Sequence, residues 1–333
     1  MEVRLATRED VGDIMQFIKE YWKEDHILAK DREFFEWMYV TGERCCFEIA
    51  KSHGKICGIN GFIPYSKEEP ADIGASLWKA IYCEEEPFVG LVLWEGVYQD
   101  FSIRHCLGLG LNKRSCRIWQ MNGGKTEKMK HFYRLGEKED YQIAVVHDRA
   151  NEPIRNREGK FTEFQDENAF LDVISDEWLK QFPVYKDTAY LVHRYFSHPV
   201  YKYHCYGIAK GTSDVSSLLF CRFVEQNGSQ IMKIIDFIGN PEDFSLIGEP
   251  VQKIIDDRQL EYVDLYSYGI REEYLNAAGF RLRTSDVNII PNYFEPFVQD
   301  NVDINIKVPE CDLYMFRGDG DMDRPNYRDK ESR

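Results

Sequence analysis

The stretch Ser76–Asn112, SLWKAIYCEEEPFVGLVLWEGVYQDFSIRHCLGLGLN, decides the fold. Ser76 to Glu84 reads as a strand that runs into three carboxylates, Glu84-Glu85-Glu86. Pro87 to Phe101 predicts a helix: Val89, Val92, Leu93 and Val97 lie on one side, and Pro87 stands near the first turn, where a missing N–H costs nothing. Cys106 to Leu111 predicts a second strand, and Ser115 to Met121 a short helix that stops at Gly123-Gly124. A strand–helix–strand–helix succession of this kind belongs to a mixed α/β domain.

Towards the N-terminus, Val3 to Ala6 predicts a strand and Thr7 a helix cap, with Glu9 and Asp10 near the positive helix end. Val11, Ile14, Met15 and Ile18 give one apolar stripe, and Arg32 to Tyr39 a second helix. Cys46–Lys51 and Lys55–Tyr65 read as strands joined by a hairpin turn at His53-Gly54. Tyr141 to Val146 closes the set as a last strand. Towards the C-terminus the order recurs in part. Strands are predicted at His204–Lys210, Ser217–Glu225 and Gln230–Phe237, then a helix Phe244–Arg258, a strand Tyr262–Tyr268, a helix Arg271–Ala278 and a strand Val287–Ile290. A repeated order implies an internal duplication. The expected organisation is a first domain over 1–148, a polar connector over 149–183, a second domain over 184–307 and an acidic tail over 308–333.

The 333 residues exceed what one ordinary core serves, which agrees with two domains. A net charge of −15, with basic residues scattered, argues against a nucleic-acid partner, because phosphate binding needs clustered Lys and Arg. Nine Cys without any C-x-x-C pair indicate neither a zinc site nor a disulfide framework, and reduced thiols fit a cytoplasmic protein. The N-terminus lacks an apolar signal region, and no apolar run approaches the roughly 18 residues that cross a bilayer. Aromatic residues reach 14%, enough to fill cores and also to line a pocket for a flat or sugar-like ligand.

The element order resembles the GNAT (Gcn5-related N-acetyltransferase) family, and particular residues add to the likeness. Leu107-Gly108-Leu109-Gly110-Leu111-Asn112, then Ile118-Trp119 and Gly123, looks like the family's fifth strand and following helix. Asn112 is present at the strand end, whereas Trp119 stands where the family has Tyr and Gly124 where it has an aromatic residue. In the second half Ala278-Gly279-Phe280 keeps the Gly-Phe pair, with Tyr274 one residue off the usual place. Three aromatic stretches (Trp22 to Leu28, His131 to Leu135, Arg194 to Tyr203) look like those of GNAT-type proteins encoded with surface-polysaccharide genes. The resemblance covers roughly 1–147 and 184–297.

The resemblance implies two tandem GNAT-like domains and an acyl-CoA, most simply acetyl-CoA, as co-substrate. The family holds the pyrophosphate on backbone amides that open its third helix, an anion site of unpaired N–H groups and helix dipole. Pro87-Phe88-Val89-Gly90-Leu91-Val92 is the equivalent here, with one Gly and without the basic lead residue; an ordinary helix start is the competing reading. In the second half Asn240-Pro241-Glu242-Asp243-Phe244-Ser245 offers two carboxylates that would repel a pyrophosphate. Phe88, Val89, Gly90, Leu91 and Val92, with Asn112 and Trp119, are the candidate donor-binding residues. Asn112 serves equally as a helix N-cap.

The acceptor amine must lose a proton before it attacks a thioester, and Glu84 or Glu85 is the candidate base, with Asp236 a weaker one. Tyr133 is the candidate acid for the departing thiolate, since Trp119 cannot donate a proton usefully. His26, Arg194, Tyr195, His198 and Tyr201 are candidates to line an acceptor site, their alternative being a turn with packed aromatics. The expected partner is a small, sugar-like acceptor, not nucleic acid or membrane. Two rivals remain open: a non-catalytic binding or scaffold module, and an aminoacyl-tRNA-dependent transferase. The segment Arg317-Gly318-Asp319-Gly320-Asp321-Met322-Asp323 alternates Asp as a calcium loop does, but Lys330 stands where the twelfth-position Glu is needed. It reads instead as a specific loop that docks across the domain cleft.

Overall fold

The computed structural model describes residues 1–327, so Lys330 and the end of the expected tail lie outside the described residues. The chain forms two compact units, one of Met1–Leu109 with the segment from Arg324, the other of Gly110–Asp323. The break at Leu109/Gly110 differs from the boundary expected at 148.

The first unit opens with β1 (Glu2–Thr7), followed by α1 (Val11–Tyr21), α2 (Ile27–Lys30) and α3 (Arg32–Tyr39). The short β2 (Val40–Thr41), β3 (Arg44–Ser52), β4 (Lys55–Pro64) and β5 (Ala71–Ala80) come next, then α4 (Val89–Asp100) and β6 (Ile103–Gly108). The strands lie in the order β1-β3-β4-β5-β6, with β2 on β3. Every pair is antiparallel except β5/β6, which the α4 crossover makes parallel. The β3/β4 hairpin turns at His53 (φ 50°) and Gly54 (φ 76°), the two left-handed residues that such a turn requires.

The second unit contains α5 (Lys113–Met121), β7 (Thr126–Lys128), β8 (Lys130–Leu135), β9 (Gly159–Phe164), α6 (Glu167–Leu171), α7 (Asp176–Leu179) and α8 (Thr188–Leu191). It continues through β10 (His204–Lys210), β11 (Ser217–Gln226), β12 (Ser229–Gly239), α9 (Gly248–Arg258), β13 (Tyr262–Tyr268), α10 (Glu272–Ala277) and β14 (Arg281–Leu282). The small strands β15 (Tyr293–Phe294), β16 (Phe297–Val298), β17 (Asn305–Lys307) and β18 (Met315–Phe316) end it. The large sheet runs β14-β8-β13-β12-β11-β10-β9, and β18 adds to β13. Here too one pair, β12/β13, is parallel and joined by a helix, α9. The fold is therefore mixed α/β, with the same arrangement built twice: an antiparallel meander, then a helical crossover to one parallel strand.

Four sequence expectations are corrected. Val287–Ile290 is no strand, its ladder contact among the described residues being the isolated bridge of Ile289 to Val145. His131–Leu135, assigned to the first domain, forms β8 between β13 and β14 of the second sheet, because its alternating side chains join that sheet's buried faces. The connector is not featureless: Gly159–Phe164 pairs with β10 as an edge strand, and its mixed polar composition hid it. Tyr141–Val146 is no strand. The N–H groups of Gln142, Ile143 and Ala144 converge on the buried Glu261 carboxylate in place of a ladder, and only Val145 bridges to Ile289.

Glu48 on β3 is fully buried beneath α4, where a Cβ on Gly96 would lie 2.7 Å from its Oε1. Neither carboxylate oxygen has a hydrogen-bond partner among the described residues. Burial, helped by Asp100, pushes Glu48 from an ordinary 4.5 up to about 8. The folded chain thus keeps a proton that the unfolded chain releases, so stability falls as pH rises from about 4.5 to about 8 and is level above that. Glu48→Gln is expected to raise the unfolding temperature by roughly 5 °C or more at pH 8 and to match the wild type near pH 4, as checked by calorimetry.

Candidate functional site

In the first unit the parallel pair β5/β6 is in register from Ala71↔Ile103 to Ala75↔Gly108 and then separates. Beyond Ala75, β5 continues to Ala80 with β4 alone as its partner among the described residues. The two strands therefore diverge into a wedge, along which β5 (77–80) pairs with β4 and not with β6. The first turn of α4 is tied to this strand, because the Trp78 indole donates to the Gly90 carbonyl at 2.9 Å. A Cβ on Gly90 would meet Trp78 and Ala80 at 3.7 Å, ordinary contact, so packing alone does not demand glycine there.

The candidate donor-binding residues Phe88–Val92 lie at this helix start, where Phe88 is exposed and Val89 buried. Glu86 takes two amides just ahead of the helix: its Oε1 accepts from the Phe88 N–H at 2.9 Å and its carbonyl from the Val89 N–H at 3.3 Å. Glu84 and Glu85 line an open cavity of about 590 Å³ together with Asp13, Glu20, Ser52 and Tyr82. The lining holds four carboxylates, Asp13, Glu20, Glu84 and Glu85, against Lys55 and His53, an acidic balance that favours a cationic guest. Glu85 accepts from Ser52 Oγ at 3.1 Å and pairs with the Met1 ammonium at 2.6 Å; the ammonium holds this carboxyl below its ordinary value. Glu84 is exposed at the cavity rim.

Cys83 lies at the base of the same cavity. Burial opposes ionisation of its thiol, but hydrogen bonds from the Glu85 and Glu86 amides, with Ser52 and Cys57, set it below its ordinary value. Sequence reasoning missed Trp78 and Cys83, since each acquires its role only from the turn that brings loop 81–88 back onto β5.

Other predicted residues fall elsewhere. His26 is buried in the first unit, where Nδ1 caps α2 by accepting from Leu28 N–H at 3.2 Å and Nε2 lies 2.6 Å from Arg324. Asn112, Trp119 and Tyr133 belong to the second unit. Asn112 performs its capping role, accepting from the Arg114 and Ser115 amides at 2.9 and 3.0 Å. Trp119 carries the Lys307 ammonium 4.5 Å over its ring, and the Tyr133 hydroxyl, buried in β8, accepts from Asn288 at 3.1 Å.

The second unit has the same wedge, and it is filled. β12 and β13 are in parallel register only from Met232↔Val263 to Ile234↔Leu265. Past that point β18 pairs with β13 at Ser267 and Tyr268, and the Gly318 N–H donates to the Ile235 carbonyl at 2.7 Å. The segment expected to dock across a cleft is built into this sheet. Gly318 is required by the close approach: a Cβ there would lie 2.6 Å from the Tyr195 hydroxyl.

Arg194, Tyr195, His198 and Tyr201 surround that segment. Arg194 donates to the Asp323 carbonyl at 3.0 Å, and Tyr195 to Asp236 Oδ2 at 2.7 Å. His198 Nδ1 accepts from the Tyr201 amide at 2.8 Å, and the Arg222 guanidinium lies 4.1 Å over the Tyr201 ring. Asp236 also accepts from Lys186 at 2.5 Å. Burial, aided by Arg324 for His26 and by Arg194 for His198, pushes both imidazoles down to about 3, so neither titrates near neutral pH. Asp323 accepts from Arg222 Nε and Nη2, each at 2.9 Å, and from the Tyr203 hydroxyl at 2.8 Å.

Although burial opposes it, Arg222 holds the Asp323 carboxyl well below its ordinary 3.8. The pair therefore stabilises the fold above the unfolded carboxylate value, and that contribution fades as pH falls below it. Asp323→Ala leaves the Arg222 charge buried without its carboxylate and is expected to cost roughly 3–5 kcal/mol at pH 7. Urea unfolding should show the gap from wild type narrowing at pH 3.

No family model and no curated protein matches the chain. Solved structures do. The chain is similar to a GCN5-related N-acetyltransferase from Anabaena variabilis, at 10% identity and TM-score 0.53, with 92% of this chain and 72% of that one covered. It is also similar to a conserved protein of unknown function from Enterococcus faecalis, described as a probable N-acyltransferase, at 8% identity and TM-score 0.56, covering 85% and 69%. At these identities the likeness is one of fold, and that fold is the GNAT acyl-CoA N-acyltransferase arrangement.

Proposed function

We propose that the chain is an acyl-CoA-dependent N-acyltransferase that binds acetyl-CoA in the first unit and acylates an amino group on a small acceptor. The observation that carries this reading is the open β5/β6 wedge beside the α4 N-terminus. The gap between the diverging strands is a place for a pantetheine arm to lie along β5, and the positive end of the α4 dipole favours an anion. The fold-level likeness to N-acetyltransferases supports the same reading.

The acceptor side is the cavity of Glu84 and Glu85. An amine arrives as an ammonium ion, which its carboxylates attract, and Glu84 at the rim would take the proton before the nitrogen attacks the thioester carbonyl. The carbon–sulfur bond then breaks, and coenzyme A leaves as the thiol, its sulfur taking up the second proton that the nitrogen sheds on becoming an amide. The exposed Tyr82 ring at the cavity is a surface on which a sugar face packs, and the aromatic stretches resemble those of surface-polysaccharide proteins. Amino sugars and nucleotide-linked amino sugars are therefore the first acceptors to screen.

One observation favours the non-catalytic rival: the Glu86 carboxylate already occupies the Phe88 amide at the helix start. Calorimetric titration with acetyl-CoA decides between them. Wild-type protein is expected to bind, and Gly90→Glu, which sets a further carboxylate beside the wedge, to weaken binding at least about tenfold, or 1.4 kcal/mol. A folded wild type that takes up no acetyl-CoA contradicts the proposal.

A further inference from the structure

The second unit's wedge is lined by charge that the first 314 residues leave unbalanced. Lys186, Arg194, Arg222 and Lys233 are buried there, against the carboxylates of Asp236 and Asp264. Segment 315–323 brings Asp319, Asp321 and Asp323 with Arg317, all buried, and so balances the layer. Its contacts are those of a bound acid. Asp319 pairs with Lys186 at 2.7 Å, which is also held by Asp236, and Asp323 takes both donors of Arg222. Arg317 donates to the Asn292 carbonyl at 3.3 Å. The backbone is bound as well, through β18 on β13 and Gly318 on Ile235. Met315 and Phe316 are fully buried, with Phe316 in the main core beside Phe237 and Phe244.

From this we infer that the wedge of the second unit is a carboxylate-binding cradle whose permanent ligand is the chain's own segment Met315–Asp323. Asp319 and Asp323 are its two acidic anchors, and the segment closes the wedge to any acyl-CoA. The chain then has a single donor site, in the first unit. The closure stands on the geometry of the second unit; the count of one donor site rests on the function proposed above.

Hydrogen–deuterium exchange on the full-length protein tests the closure without any ligand. The amides of Phe316, Gly318 and Asp319 are expected to exchange at least about a hundredfold more slowly than in an unstructured peptide, as interior strands do. Asp323→Asn should speed that exchange at least about tenfold while leaving β3 and β4 unchanged. Free exchange of these amides in the wild type overturns the proposal. Acetyl-CoA titration supplies the second readout. One site in the wild type that Gly90→Glu weakens supports a single donor site, whereas a site of undiminished affinity in Gly90→Glu overturns it. Protected amides with no acetyl-CoA binding at all leave the closure standing and overturn the enzymatic reading instead.

Discussion

The structure depends on one backbone constraint, met twice. A parallel strand added to an antiparallel meander by a helical crossover shares hydrogen bonds with its neighbour only briefly. β5 and β6 separate after Ala75/Gly108, and β12 and β13 after Ile234/Leu265. Backbone N–H and C=O groups along the diverging edges then need a partner other than the neighbouring strand. The two units answer that demand differently: 77–80 of β5 pair with β4 and not with β6, and Ile235 and Ser267–Tyr268 take up a segment of the same chain.

The filled wedge explains why so many charged side chains of the second unit are buried. A buried ion is tolerated only when paired and hydrogen-bonded. Lys186, Arg194 and Arg222 come from different elements; Lys186 and Arg222 meet carboxylates of one short segment, and Arg194 its Asp323 backbone carbonyl. That segment is consequently part of the sheet and not an appendage. Removing one carboxylate leaves a cation stranded, which makes Asp323 a more consequential position than its place near the chain end suggests.

Much of this was legible in the sequence. The stripe Val89, Val92, Leu93, Val97 announced α4, and His53-Gly54 the hairpin. The strands of both meanders were found within a few residues. What failed was long-range pairing. Nothing local in His131–Leu135 says that β8 joins β13, more than 120 residues on, and a polar edge strand such as Gly159–Phe164 carries too weak an alternation. Glu84, Glu85 and Gly90 lie, as the sequence places them, in the turn between β5 and α4 and in the first turn of α4. The site was not legible at Arg194 to Tyr201, where the Arg and Tyr pattern that suits a hydroxyl-rich acceptor bonds the Asp323 carbonyl and the Asp236 carboxylate of the chain itself.

A crystal structure of the full chain with acetyl-CoA tests the central claim most directly. The account predicts the pantetheine arm along Leu77–Ala80 in the first unit, the pyrophosphate at the start of α4, and Met315–Asp323 unmoved. Coenzyme A found between β12 and β13, with that segment displaced, would contradict it.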